Sequence, residues 1–329
     1  MCAAAGASAI AGSAVAQDAP GQAPPLDSGT PSPAGAAKLA RISIMTYNFT
    51  SRLKLEGQPP SGDRILEIFD IPQMYADVYG VHNVELQHSH FASTETSYLK
   101  EFRARIEKVK SRMTQINVEF GQMNVSATDP VQRDQAIDLT TRWVDHAVIL
   151  DCPRVMINQG QLTAESMGRA TAALKLMGDY AKTKGVKISV ETRGGGGGRG
   201  RGAGGRGQGE TAAPAAAAPE PAPGSVPRVS APSGPPAWEL VKELVETSGT
   251  YSNVDIGGVA APDQPSLHVA IKSLFPSSSG NMHIKTSPNW DLSAAIRFTN
   301  SELGYKGLYS IEVPPQRIRE VYDTILANI

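Results

Sequence analysis

The sequence has few cysteines, almost no net charge and no long apolar run, and each of these features argues against a class of protein. There are two cysteines, Cys2 and Cys152, so loss of the N-terminus would leave one and no intrachain disulfide is expected. No stretch of about 18 apolar residues occurs, so we expect no membrane span. The net charge of −1 argues against nucleic acid as a partner.

Two stretches carry too few apolar side chains to fold. Residues 1–36 are almost entirely Ala, Gly, Ser, Pro and Gln, and residues 194–236 are rich in Gly, Ala and Pro. Neither can bury enough apolar surface to offset the entropy of ordering, so both are expected to be disordered. Residues 37–193 and 237–329 remain, together 250 residues, which is ample for one large domain.

The first residues resemble the end of a secretory signal. A weakly apolar stretch leads to Ala14, Val15 and Ala16, which fit the small-x-small rule for signal cleavage. The first basic residue is only Lys38, so no positive charge precedes this stretch. We expect an exported protein, periplasmic or secreted, with a cytoplasmic location as the alternative.

Short β-branched runs alternate with amphipathic stretches along both folded parts. Strands are predicted at 42–49, 84–87, 116–123, 155–158, 187–192, 251–256, 282–286 and 308–313. Helices are predicted at 63–79, 97–113, 129–150, 163–184, 237–247, 265–274, 291–300 and 315–328. Strict alternation over about 250 residues indicates an α/β protein, a (β/α)8 TIM barrel with a long disordered insertion after strand 5. A doubly wound sheet is the alternative, although no Gly-rich phosphate loop follows the first strand.

The carboxyl ends of the strands line the active site in such a barrel. Strands five to eight each offer an acidic or imidazole group there, namely Glu191, Asp255, His283 and Glu312. Three carboxylates about 4 Å apart would repel by about 4 kcal/mol per pair at an effective dielectric constant of about 20, so either their pKa values rise or a cation compensates. Oxygen ligands with one imidazole suit Mn²⁺, Mg²⁺, Co²⁺ or Zn²⁺.

A purely structural role is the alternative for each of these residues, because single acidic residues at strand ends commonly cap a helix or pair with arginine. Four on successive strands favour the metal. Lys285 lies two residues past His283 on the same strand face and is a candidate to contact a substrate oxygen, while Asn158 ends strand four. Glu85 and His88 either contact substrate or support the site from behind, and Glu119 is expected to point outward. A small buried role is expected for Cys152, and a structural or solvated one for the histidines elsewhere, His82, His90, His146 and His268.

Five fragments together resemble the xylose isomerase-like TIM barrels of the sugar phosphate isomerase/epimerase superfamily. They are VELQ in strand two, KGVKISVET in strand five, YSNVDIGG in strand six, GNMHIKTS in strand seven and LGYKGLYSIEV in strand eight. The resemblance implies a divalent metal on Glu191, Asp255, His283 and Glu312. By analogy with the epimerases, Glu191 and Glu312 would exchange protons on a carbon next to a carbonyl, through a metal-stabilised enediolate.

The sequence also departs from that pattern after strands five and six. A histidine often found three residues after the strand-six aspartate is Gly258 here, and Thr192 and Arg193 replace the usual residues after the strand-five glutamate. A dehydratase or lyase acting on a keto-sugar or cyclitol therefore stays open beside the isomerase or epimerase. So does a non-catalytic carbohydrate-binding barrel.

The sequence also limits the partners. An endonuclease-like metal cluster would need more strand-end histidines than the six in the whole chain supply. No multi-Arg phosphate cradle stands out, so a free sugar or cyclitol is the expected small-molecule partner. A homo-oligomer stays open.

Overall fold

The computed structural model describes residues 33–59, 62–121, 123–193 and 234–329. Its eight strands are all parallel and hydrogen-bond to one another in sequence order. The last strand pairs with the first, which closes the sheet. The (β/α)8 TIM barrel predicted from the sequence is confirmed.

Strands and helices alternate along the chain. The strands are β1 (Ile42–Met45), β2 (Asn83–Gln87), β3 (Arg112–Val118), β4 (Arg154–Asn158), β5 (Lys187–Glu191), β6 (Tyr251–Asp255), β7 (Ser278–Ile284) and β8 (Leu308–Ile311). The α-helices are α1 (Pro33–Leu39), α2 (Ile71–Tyr79), α3 (Thr96–Lys108), α4 (Pro130–Ile149), α5 (Met167–Thr183), α6 (Ala237–Ser248), α7 (Gln264–Leu274), α8 (Leu292–Arg297) and α9 (Ile318–Asn328).

Aspartate side chains fix where several helices begin. Asp129 precedes Pro130 and accepts a hydrogen bond from the backbone N–H of Val131, so it is the N-cap of α4. Asp263 and Asp291 play the same part before α7 and α8. Each cap satisfies a backbone donor that the first helical turn leaves without an intrahelical partner.

Several predicted boundaries are wrong, and three of them show why. β3 begins at Arg112 and ends at Val118, whereas the predicted strand begins at 116 and ends at 123. α2 begins only at Ile71, because Ile65 is 54% exposed and Leu66 forms an isolated bridge with Leu53 instead of a helical turn. Residues 33–36, expected to be disordered, form the start of α1.

The strands present two chemically different faces. Alternate residues such as Ile44, Val84 and Val190 are fully buried in the apolar core beneath the helices. The residues between them point into the barrel, where polar side chains of opposite strands touch: Gln115 of β3 lies 3.3 Å from Asn253 of β6. Branched apolar residues usually fill this space in TIM barrels. The interior of this barrel is therefore unusually polar.

Residues 194–233 of the predicted insertion lie outside the described residues. Residues 1–32, which include the signal-like segment, also lie outside them. β5 and β6, which flank residues 194–233, pair directly with each other, with Glu191 beside Asn253. The two parts of the chain thus contribute to one closed sheet. None of the helices in the described ranges is long and apolar enough to cross a membrane.

Candidate metal centre

Four side chains from consecutive strands converge at the carboxyl-terminal mouth of the barrel. Glu191 ends β5, Asp255 ends β6, His283 is the penultimate residue of β7, and Glu312 directly follows β8. One ligand atom of each lies within 4.8 Å of those of the other three. Oxygen ligands about 2.0–2.6 Å from one cation span about 4–5 Å. The structure brings together all four residues predicted to hold a metal.

Two cationic side chains also reach these carboxylates. The Nζ atom of Lys285 lies 2.5 Å from Oδ2 of Asp255, 3.1 Å from Oε1 of Glu312 and 3.6 Å from Oε1 of Glu191. The guanidinium of Arg193 contacts Oε2 of Glu191. Ion pairs with lysine and arginine are the structural role expected of single strand-end acids. Here they compensate part of the negative charge of the carboxylates.

Two buried atoms at the centre nevertheless find no hydrogen-bond partner within the described part of the chain: Nδ1 of His283 and Oε2 of Glu312. They lie 3.0 Å apart, and Oε1 of Glu191 is 3.4 Å from the same nitrogen, but neither carboxylate is aligned for a hydrogen bond to it. A buried polar group left unsatisfied costs about 1–3 kcal/mol. A cation would satisfy both atoms, and three carboxylates with one imidazole are a common ligand set for divalent metals. The residues present therefore fit a divalent metal.

The turn after β6 holds Asp255 in place. Its Oδ1 accepts hydrogen bonds from the backbone N–H groups of Gly257 at 3.0 Å and Gly258 at 2.9 Å. Its own backbone N–H donates to Oγ1 of Thr192 at 2.9 Å. A Cβ atom on Gly258 would lie 2.0 Å from the backbone oxygen of Thr192 and 2.6 Å from Oδ2 of Asp255. This position therefore has no room for the histidine that the resemblance leads one to look for there.

Glu119 borders the mouth, so the expectation that it points outward was wrong. Its carboxylate accepts hydrogen bonds from Nη2 of Arg193 at 2.5 Å and from Nδ2 of Asn158 at 3.0 Å. Its backbone N–H donates to Nδ1 of His88 at 3.2 Å. The error follows from the boundary of β3, since Val118 ends the strand and Glu119 is the first residue beyond it.

A layer of buried polar side chains fills the barrel below the four convergent groups. Glu85, at its centre, has no exposed surface, and its Oε1 lies 2.6 Å from Nε2 of His283. Four more side chains donate hydrogen bonds to this carboxylate, namely Gln115, Asn117, Asn281 and Ser310. Glu85 thus lies behind His283, whereas the other three predicted substrate contacts, Lys285, His88 and Asn158, are partly exposed near the mouth.

The carboxylates of the centre have different proton affinities. Burial raises the pKa of Asp255; Lys285 opposes this, but the nearby Glu312 and Glu191 raise it further, to about 6. Burial also raises the pKa of Glu191, yet Arg193 and Lys285 outweigh it and hold that pKa well below its usual range. Burial raises the pKa of Glu85 as well, but His283 and the hydrogen-bond donors lower it to about 2. Asp255, Glu191 and Glu85 are therefore mainly ionised at neutral pH, which suits a bound cation.

Sequence reasoning missed the contact between Arg193 and Glu191 and, apart from Glu85, the residues of the polar layer. A signal for the layer was present, because a small polar residue stands two positions before each of the four convergent residues. Positions two apart on a strand share a face, so these side chains belong to the barrel interior. They are Ser189, Asn253, Asn281 and Ser310. Nothing in the sequence indicates that Arg193 turns back to Glu191.

Comparison with known proteins agrees with this architecture. Residues 75–206 match the family model described as the xylose isomerase-like TIM barrel. No curated protein matches the sequence significantly. The resemblance to xylose isomerase-like TIM barrels expected from the sequence is confirmed over these residues.

Solved structures with the same fold include several sugar-converting enzymes. A D-psicose 3-epimerase with D-tagatose from Clostridium cellulolyticum H10 has a TM-score of 0.57 at 11% identity, over 88% of this chain and 96% of that one. An L-ribulose 3-epimerase has a TM-score of 0.56 at 14% identity, over 87% and 86%. A probable 3-DHS dehydratase from Bacillus anthracis has a TM-score of 0.54 at 10% identity, over 87% and 97%. At these identities the likeness establishes the fold alone.

Proposed function

We propose that this chain is a divalent-metal-dependent isomerase or epimerase acting on a neutral sugar or cyclitol. The observation that carries the proposal is the pair of buried atoms, Nδ1 of His283 and Oε2 of Glu312, that lack a hydrogen-bond partner within the described ranges. Together with Glu191 and Asp255, these residues would hold Mn²⁺, Mg²⁺, Co²⁺ or Zn²⁺. The bound cation would supply positive charge that polarises a substrate carbonyl.

Glu312 and Glu191 are the groups that exchange protons at the carbon next to that carbonyl. Glu312 is the more accessible of the two, with 11% of its side chain exposed against 2% for Glu191. Arg193 holds Glu191 ionised, so Glu191 accepts a proton readily only after that contact loosens. Lys285, 30% exposed, is placed to bind a substrate oxygen while balancing the neighbouring carboxylates.

The charge at the mouth favours an uncharged substrate. Four carboxylates meet two cationic side chains there, which leaves two negative charges; they belong to Glu191, Asp255, Glu312 and Glu119 against Lys285 and Arg193. A divalent cation neutralises this excess and leaves no surplus positive charge for a phosphate group. A free sugar or cyclitol suits such a site better than a sugar phosphate.

Metal analysis combined with turnover of a panel of ketoses and 3-keto-sugars tests this function. We expect about one divalent metal per chain, and turnover lower by at least about 100-fold in folded Glu191→Gln and Glu312→Gln variants. Glu107→Gln, which removes an exposed carboxylate of α3 that pairs with Arg103, should behave as wild type. Wild-type turnover in both site variants would refute the proposal. Dehydrated product in place of an epimer or isomer would instead indicate the lyase alternative.

A non-catalytic carbohydrate-binding barrel is the second candidate. It is favoured by the contacts of Lys285 and Arg193, which compensate part of the carboxylate charge without any metal. Sugar binding that persists after chelation, with no product formed with or without added metal, would support it. Product formed from any sugar of the panel by metal-loaded protein would exclude it.

A further inference from the structure

The hydrogen bonds around Glu85 determine which nitrogen of His283 carries a proton. Asn117 Nδ2 at 2.7 Å and Gln115 Nε2 at 3.0 Å donate to Oε1 of Glu85, and Asn281 Nδ2 at 2.9 Å donates to Oε2. Amide N–H groups can only donate, and they reach both oxygens of the carboxylate. Glu85 is therefore an ionised acceptor with no proton of its own to give.

The proton in the bond between Glu85 and His283 must then lie on the histidine. Nε2 of His283 is 2.6 Å from Oε1 of Glu85 and donates to it. In a neutral imidazole that donates from Nε2, Nδ1 carries a lone pair. Nδ1 is the atom of His283 that faces the other convergent groups, 3.0 Å from Oε2 of Glu312.

We propose that Glu85 is the positioning residue of this centre: its carboxylate keeps the histidine proton on Nε2, so that Nδ1 of His283 presents its lone pair to the metal. The proposal rests on the metal site proposed above. Carboxylates that orient a metal-bound histidine in this way typically affect metal affinity by about 10–100-fold. The ionised carboxylate is itself sustained by donors from β3, β7 and β8, so the orientation of His283 depends on the whole polar layer.

Titration calorimetry with Mn²⁺ on the full chain tests the strength of this effect. Glu85→Gln keeps the size of the side chain but places an amide N–H₂ among groups that all donate, so it cannot accept all five bonds. We expect its dissociation constant for Mn²⁺ to rise by about 10–100-fold. Ser252→Ala is the matched control, because Ser252 is an equally buried strand residue whose hydroxyl donates to the backbone of Leu274, away from the centre. It should bind Mn²⁺ as wild type does.

Nitrogen NMR of histidine-labelled, Zn²⁺-loaded wild-type protein tests the orientation directly and does not depend on whether Glu85→Gln folds. The signals of His283 are identified by their absence in a His283→Gln variant. We expect Nε2 to keep its proton and Nδ1 to show the shift of a metal-bound nitrogen. A proton on Nδ1, or zinc on Nε2, would overturn the proposal.

The two proposals fail in different ways. Wild-type protein that binds none of Mn²⁺, Mg²⁺, Co²⁺ and Zn²⁺ would overturn the metal site, and the role of Glu85 with it. Wild-type protein that binds Mn²⁺, beside a folded Glu85→Gln variant with an affinity within about threefold of it, would overturn only the role of Glu85.

Discussion

Substitution of Gly258 by alanine tests the tight turn that holds Asp255. The added methyl group would lie 2.0 Å from the backbone oxygen of Thr192, so one of the two backbone segments must move by about 1 Å. Overpacking of this kind costs about 1–3 kcal/mol. Loss of the hydrogen bond from Gly258 N–H to the Asp255 carboxylate adds about 1.5–3 kcal/mol. Together the two contributions should lower the free energy of unfolding of Gly258→Ala by about 2.5–6 kcal/mol.

Urea unfolding followed by circular dichroism measures this change. The control is Gly168→Ala in α5, where an added Cβ meets no atom of the described residues within 4 Å and alanine favours the helix by up to about 1 kcal/mol. Calorimetry with Mn²⁺ gives a second readout, because a displaced Asp255 should weaken metal binding even where the variant folds. Unfolding within about 1 kcal/mol of wild type, together with unchanged Mn²⁺ affinity, would refute the steric reasoning.

Three further predictions concern single side chains. Lys285→Met should tighten Mn²⁺ binding by about tenfold or more, because it removes a cation that competes for the same carboxylates. Lys285→Arg, which keeps the positive charge, should not tighten it, and weaker binding in the methionine variant would contradict the prediction. Burial raises the pKa of Cys152 to about 12, so a folded Cys2→Ser variant should react with a thiol reagent only after unfolding, and rapid native reaction would be evidence against the buried thiol. Burial, aided by the nearby His88, lowers the pKa of His90 to about 4. The stability that the neutral His90 contributes is therefore complete above about pH 6.5 and is lost as the pH falls towards 4, by up to about 3 kcal/mol. Urea unfolding at pH 7 and 4.5 should therefore show a weaker pH dependence for His90→Gln than for wild type, and equal dependence would count against it.

The order of the elements follows from local sequence signals, but some boundaries do not. Helix starts at capped positions such as Asp129 were predictable because the cap and the following proline are adjacent in sequence. The end of β3 was not, because Phe120 is buried just as a strand residue would be, although the strand stops at Val118 and Gly121 turns the chain with a φ of 63°. Burial alone does not distinguish a strand from the packed loop after it.

The convergence of the four groups at the mouth was predictable for a different reason. Parallel strands in a closed barrel bring their carboxyl ends to one place, so residue type at a strand end is enough to identify candidates. Cross-barrel partners could not be identified in that way: Gln115 and Asn253 are 138 positions apart, and only the closed sheet makes them neighbours. The contact between Arg193 and Glu191 depends on the path of the chain after β5, which no local pattern specifies.

The polar layer also makes the two parts of the chain chemically incomplete when apart. Residues 33–193 supply the Glu85 carboxylate, whereas residues 234–329 supply the imidazole of His283, the amide of Asn281 and the hydroxyl of Ser310 that bond to it. An isolated amino-terminal fragment would bury an anion stripped of those donors, which is costly, and its carboxyl-terminal counterpart would lack their acceptor. If the backbone is cleaved between residues 193 and 234, the two fragments should therefore stay together as a non-covalent heterodimer. Each fragment should fold only in the presence of the other.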